Sequence, residues 1–391
     1  MPPPALAELE RAVAARYPRF LEELAALVDI DCGSYTPAGV NRVADVVADQ
    51  LAEMGATVER IPHQPAGSEQ QLGDLVIGRL EGEGPRVLLI GHMDTVFDPG
   101  AAAARPFTIT GERATGPGVS DMKGGLLAGL HAIASLHSIG THPNVTFVAN
   151  PDEEIGSPFS TPHIRRLAGD HDAALVTECA RANGDIVSAR KGIADYRIAL
   201  TGRAAHAGVE PEKGLSAILE AAHQVVALHD LNGRWPGVTV NAGVISGGTR
   251  PNVVAERCMI ELDLRATTAA AFETAATEVE RIVGKPRLEG VSAKLHRVAH
   301  HPPMERSPAS ARLAELAIAI ATELGFTVRD AATGGASDGN TTSAAGLPTL
   351  DGLGPIGGDD HSVDEWLDVS SIVPRTALLA GLLARIGEAL G

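Results

Sequence analysis

The sequence predicts an α/β protein, a mostly parallel sheet flanked by helices, with a smaller α+β domain inserted in it. Three observations predict this. Short apolar runs such as Val87–Ile90 and Val145–Ala149 alternate with helical periodicity as far as Glu178, the pattern of parallel strands buried on both faces. From about Lys191 the order changes to four strands interleaved with two helices, which suggests two helices on one face of a four-stranded antiparallel sheet. Finally, residues of metal-ligand type stand at or just after the ends of strand-like runs, where open α/β sheets place their sites.

In chain order, M-P-P-P reads as a disordered tip leading into an amphipathic helix over Leu6–Ala26, and a second helix covers Val40–Met54. R-V-L-L-I-G-H-M-D is a strand that ends in His92 and Asp94, and N-V-T-F-V-A-N-P-D-E-E is a strand that ends in Glu153 and Glu154. Between them lies G-P-G-V-S-D-M-K-G-G, a Gly-rich turn holding Asp121 before an apolar helix that begins near Leu126. A-A-L-V-T-E-C ends a further strand in Glu178. The inserted domain is read over 191–300: strand A-D-Y-R-I-A-L-T, helix Leu215–Leu228, strands V-T-V-N-A-G-V-I and C-M-I-E-L-D-L-R, helix Ala269–Ile282, and strand A-K-L-H-R-V. The first domain, 1–190, resumes over 301–391, with helices at Ala311–Leu324 and Ser371–Leu390.

The chemistry lies in what those strand ends carry. His92 and Asp94 are two apart on an extended segment and share a face, so the carboxylate can accept one ring N–H while the other nitrogen binds a metal. Asp121, in its turn, can reach two cations. Glu153 and Glu154 are adjacent and point in different directions, so one can bind metal while the other faces a bound water. Glu178 and the distant His361, in G-G-D-D-H-S, complete two histidines and three carboxylates. Such a set suits two zinc-like ions about 3.5–4 Å apart, which polarise a carbonyl and bring a shared water's pKa toward neutrality. Alone, D-E-E would be a charged surface loop and H-x-D an ordinary turn. The combination argues otherwise, because five surface loops have no reason to set their ligands at strand ends.

These motifs resemble the M20 family of co-catalytic zinc peptidases, most closely its glutamate carboxypeptidase branch. The resemblance runs from about Asp31 onward through H-M-D-T-V, G-V-S-D-M-K-G-G, N-P-D-E-E-I-G-S, T-G-R-A-A-H-A-G, P-N-V-V, D-L-R, G-G-A-S-D-G-N and D-D-H-S. It implies that His92 and Glu178 hold one metal, Glu154 and His361 the other, and that Asp121 bridges them. It makes Glu153 the general base and acid and Asp94 the group that orients His92. It also implies that the insert is a lid and dimerisation domain, that His206 stabilises the oxyanion across a homodimer interface, that Asn252 and Arg265 grip a substrate carboxylate, and that Gly334 and Gly335 let the substrate lie against the main chain. The cofactors implied are two Zn2+ per chain, with Co2+ or Mn2+ as substitutes.

Several other readings fall away. Gly352, Gly354 and Gly357 have dinucleotide-binding spacing, but Pro355 removes a backbone donor and no helix follows to receive a pyrophosphate. Cys179 adjoins Glu178 without an activating context and reads as a buried structural thiol. A formal charge of −17, from 32 basic and 49 acidic residues, argues against nucleic acid and anionic membranes as partners. Three scattered cysteines point to a reducing compartment, and no stretch approaches the roughly 18 apolar residues of a membrane span, so a cytoplasmic location is expected.

The function expected is a two-zinc amide hydrolase that releases a C-terminal amino acid from a short peptide or N-acyl amino acid. The segments D-I-V-S-A-R-K-G and R-V-A-H-H-P-P-M do not match the pattern that would contact a glutamate side chain, which leaves the leaving residue open. An aminoacylase or dipeptidase with the same metals is the nearest alternative. A catalytically silent binding dimer would need a broken ligand or base, and none is broken.

Overall fold

The computed structural model describes residues 4–391, so the M-P-P tip lies outside the described residues. They form two compact units. One comprises the chain as far as Ser188 together with Arg306–Ala332 and Ser337–Gly391, and the other comprises Ala189–Glu305 with the short segment Thr333–Ala336. That segment holds Gly334 and Gly335, which the domain boundaries expected from the sequence assign to the first domain.

The first unit is built on a six-stranded sheet in the order Thr57–Ile61, Leu75–Leu80, Pro143–Asn150, Glu83–His92, Ala173–Val176, Thr349–Leu350. Glu83–His92 runs parallel to Pro143–Asn150 on one side and to Ala173–Val176 on the other, and Thr349–Leu350 extends the parallel half. Leu75–Leu80 pairs antiparallel with both of its neighbours, so the sheet is mixed. The V-L-L-I run shows why the parallel centre is apolar throughout. Val87 and Leu89 enter the larger core beneath the helices, while Leu88 and Ile90 enter a second cluster with Ile164 and Leu167 on the opposite face. All three central strands end on the same side. That shared edge is where His92, Glu153, Glu154 and Glu178 emerge.

The helix expected over Leu6–Ala26 is two helices, Leu6–Ala15 and Tyr17–Val28, which meet at Arg16. Pro18 in the first turn of the second explains the break, since its ring is tolerated there but clashes inside a continuous helix. Gly125–Ser138, after the Asp121 turn, is buried almost all round. It passes so close to the strand end that a Cβ on Gly125 would lie 1.8 Å from the Thr177 carbonyl oxygen, which accounts for glycine in D-M-K-G-G. The last helix runs over Ile372–Arg385, with a separate short turn of helix at Gly387–Leu390.

Within the helical layer, His131 Nε2 lies 2.7 Å from Glu23 Oε2, and Arg19 Nε donates to the other oxygen at 2.6 Å. Burial alone would raise the Glu23 carboxyl, but its bonds to His131 and Arg19 outweigh that and hold it down at about 2. A carboxyl depressed in the folded state contributes stability above its unfolded pKa of 4.5 and loses it as pH falls through about 2. Comparing Glu23→Gln with the parent by chemical denaturation, the stability difference should narrow by about 1–2 kcal/mol between pH 5 and pH 2, less than the full shift because solvent screens this partly exposed pair. A difference independent of pH would show the pair to be electrostatically inert.

The second unit is a four-stranded antiparallel sheet in the order Thr239–Gly247, Arg257–Ala266, Gly192–Thr201, Ser292–His301. The helices Ala217–His229 and Ala269–Val283 contribute Ala217, Ala221, Phe272 and Val279 to one core with Ile198, Ile260 and Leu264 of the sheet. Ser216 and Thr268 cap these helices through their side chains. No described helix of the chain is long and apolar enough to cross a membrane.

Candidate metal centre

At the shared strand edge of the first unit, one carboxylate faces two histidines. Asp121 Oδ1 lies 3.0 Å from His92 Nε2, and Asp121 Oδ2 lies 3.1 Å from His361 Nε2. Each histidine meets a further carboxylate, His92 Nε2 with Glu178 Oε1 at 3.7 Å and His361 Nε2 with Glu154 Oε2 at 3.1 Å. Ligand-type atoms of His92, Asp121 and Glu154 lie within 4.8 Å of one another, and so do those of His92, Glu153 and Glu178. The structure therefore brings together all five expected ligands and Glu153.

Asp94 lies fully buried beneath them, with a wider set of contacts than the two-residue spacing implied. His92 Nδ1 is 3.0 Å from the Asp94 backbone oxygen and 3.4 Å from its carboxylate. The carboxylate itself accepts the backbone N–H groups of Glu153 and Glu154, each at 3.1 Å, and the Ser34 hydroxyl at 2.6 Å. One side chain thus fixes the turn that aims both glutamates.

The electrostatics are those of a cluster short of positive charge. Burial raises Glu153 well above the ordinary carboxyl range, with Glu178, Asp338 and Glu154 adding to the effect, and burial raises Glu154 as well. Bonds to Asp121 and Glu154 push His361 up to about 11. Burial would lower His92, but Asp121, Asp94 and Glu178 carry it well above its usual value. Asp121 is held low by the two histidines against the effect of burial. Glu154 Oε1 is buried without a hydrogen-bond partner. An uncompensated buried carboxylate costs several kcal/mol, and divalent cations would supply the missing charge and the missing partner. Histidine nitrogen with carboxylate oxygen is a donor set that zinc accepts. On these grounds the residues fit such ions.

Further side chains to which the sequence assigned no role in the site also shape it. The carboxylate of Glu365, 1% exposed, accepts the backbone N–H groups of Gly118, Ser120 and Asp121 at 2.8, 2.9 and 3.0 Å, and burial pushes it up to about 7. Asp338 accepts from Asn150 Nδ2 at 2.5 Å and from the Ser157 hydroxyl at 2.7 Å, which ties the strand ending at Asn150 to the G-A-S-D-G-N motif. Arg375, fully buried, donates to the carbonyls of Gly184, Gly352 and Gly354. Gly354 N–H donates to the Glu178 carbonyl at 2.9 Å, so the G-L-G-P-I-G segment is pinned against the strand end and leads on to His361. Cys179 is a free, buried thiol, raised by burial, whose Sγ lies 3.4 Å from Asp360. That suits the structural reading.

The remaining expected residues lie in the second unit. His206 is exposed, and its Nδ1 accepts the Gly208 N–H at 3.1 Å. The adjoining Ala207 N–H donates to the Asn252 carbonyl at 3.0 Å, which sets His206 and Asn252 side by side. Arg265 Nη1 donates to the Gly334 carbonyl at 2.8 Å, while its Nε lies 3.0 Å from Asp263 Oδ2. Arg265 is thus already engaged by Asp263, a contact that D-L-R alone did not reveal.

A model of peptidase family M20/M25/M40 matches residues 88–385. Carboxypeptidase G2 of Pseudomonas sp. (strain RS-16) is 29% identical over 385 residues, which covers 97% of this chain and 92% of that protein. Succinyl-diaminopimelate desuccinylase of Leptothrix cholodnii is 28% identical over 359 residues, covering 84% and 89% respectively. The crystal structure of aminopeptidase PepT from Bacillus cereus shares the fold, with a TM-score of 0.77 at 22% identity over 95% of this chain and 98% of that one. With well over half of its length matched by the family model, the chain belongs to peptidase family M20/M25/M40 and is a hydrolase of peptide or amide bonds.

Proposed function

We propose that the protein is a two-metal amide hydrolase that releases a C-terminal amino acid from a short peptide or an N-acyl amino acid. The observation that carries this reading is Asp121, whose two oxygens face His92 and His361 separately, the arrangement a bridging ligand requires. Two Zn2+ ions, or Co2+ or Mn2+ in their place, would be held by His92 and Glu178, by Glu154 and His361, and by Asp121 between them. Bound there, they would polarise the scissile carbonyl and acidify a water.

The chain's own groups do the rest. Glu153 takes the proton of the attacking water and delivers it to the leaving nitrogen. Its elevated proton affinity suits both halves of that transfer. Asp94 keeps Glu153 and Glu154 apart in aim through their backbone N–H groups. His206 offers a ring N–H to the developing oxyanion of a partner chain in a homodimer formed through the inserted unit, which acts as lid and dimerisation domain. Asn252 and Arg265 hold the substrate carboxylate, with Gly334 and Gly335 giving close approach to the main chain. The three free cysteines support a cytoplasmic setting.

The name of the first relative, a carboxypeptidase, favours release at a C-terminus, whereas the desuccinylase favours removal of an acyl group. A hydrolysis panel decides between them. The zinc-loaded protein should cleave N-acyl amino acids and peptides blocked at the amino end, and amidation of the substrate's C-terminal carboxylate should abolish turnover. Dependence on a free substrate amine would instead establish a dipeptidase or aminopeptidase.

A further inference from the structure

We infer that Glu365 is a positioning residue that locks the His361 loop to the Asp121 turn and thereby sets the affinity of one of the two metal sites. The inference rests on the two-metal reading above.

Three of the other four ligands stand on rigid scaffold. His92 closes the strand Glu83–His92, Glu178 follows Ala173–Val176, and Glu154 sits on a turn fastened by the buried Asp94. His361 has no such support. Its side chain is 56% exposed, its backbone is left-handed with φ of 63°, and the residues around it form a loop between two short strands, Gly357–Gly358 and Trp366–Asp368. Something other than packing on the ring must hold its nitrogen 3.1 Å from both Asp121 and Glu154.

Glu365 has the geometry for that task. It lies four residues after His361 on the same loop, yet its carboxylate is buried and bound to the turn that carries Asp121. Oε2 accepts from Gly118 N–H and Oε1 accepts from both Ser120 and Asp121 N–H, so all three partners are donors and both oxygens are used. These amides belong to the irregular turn Val119–Gly124 and the residue before it, where they have no strand ladder to satisfy them. One side chain therefore joins the bridging ligand's backbone to the loop of the exposed histidine. Loosening it should weaken the ion shared by Asp121, Glu154 and His361 far more than the ion held by His92 and Glu178.

The Glu365→Gln variant tests this, because the new side chain keeps the size and one acceptor while presenting N–H groups to the Gly118 N–H. Stripped wild type and Glu365→Gln would each be titrated with Zn2+ against a competing chelator, with circular dichroism and denaturation of the metal-free forms run in parallel. The expected result is that wild type binds two ions. In the variant one ion should stay within about three-fold of wild-type affinity while the other weakens by about ten-fold or more, with the metal-free fold unchanged. Both ions staying within three-fold, or both weakening equally together with a less stable metal-free fold, overturns the inference. A wild type that fails to bind two ions overturns the two-metal reading instead.

Should the variant not fold, hydrogen exchange on wild type carries the test. The second equivalent of Zn2+ should protect residues 118–121 and 359–365 together, and protection of either segment without the other would sink the proposal.

Discussion

Glu153→Gln should lower turnover by about two to four orders of magnitude, the usual contribution of a positioned general base, and should leave bound metal nearly unchanged. Glutamine keeps the volume and can still accept a hydrogen bond, but it cannot carry a proton between the attacking water and the leaving nitrogen. The side chain lies within 4.8 Å reach of His92 and Glu178, close enough to be mistaken for a ligand, and this makes metal content the decisive companion measurement. Loss of metal with activity retained after reconstitution would mean that Glu153 and Glu154 have exchanged roles. The same variant also tests the role of His206. Co-refolded with His206→Ala, each nearly inactive alone, it should recover partial activity, since one site of the mixed dimer then has both groups intact. Dimers that form without recovering activity would return His206 to its own chain or to no chemistry.

Much of the site was legible in the sequence because its parts are tied to strand ends. An apolar run that stops near a histidine or carboxylate marks both the strand and the place where a candidate ligand emerges, as at His92, Glu154 and Glu178. No apolar run ends at His361, which depended on motif resemblance. Glu365, Asp338 and Arg375 were not legible as site residues, because their roles come from which loops pack together. A glutamate in D-E-W looks like any surface acid until the fold buries it against three unsatisfied amides. The same limit applies to the sheet. Continuous apolar runs indicate burial on both faces but do not set direction, so the antiparallel pairing of Leu75–Leu80 emerged only in the structure. Pro18 was a readable breaker within an otherwise helical pattern, and amphipathic periodicity on both sides of it masked the boundary at Arg16.

The strongest effect expected is that of metal removal. Six acidic side chains, Asp94, Asp121, Glu153, Glu154, Glu178 and Asp338, surround two histidines at this edge, and the proton affinities of Glu153 and Glu154 are raised by burial and mutual repulsion. Divalent cations relieve that repulsion, so the filled site should be the more stable one, and the thermal midpoint should rise on loading by mass action.

The two-metal site is measured by metal analysis of the purified chain after stripping with a chelator and reconstitution with Zn2+. Close to two ions per chain, no amide hydrolysis in the stripped protein, and recovery of hydrolysis on reloading are expected. A reconstituted protein that holds no zinc, or one that hydrolyses its substrates equally well when stripped, would contradict the two-metal reading.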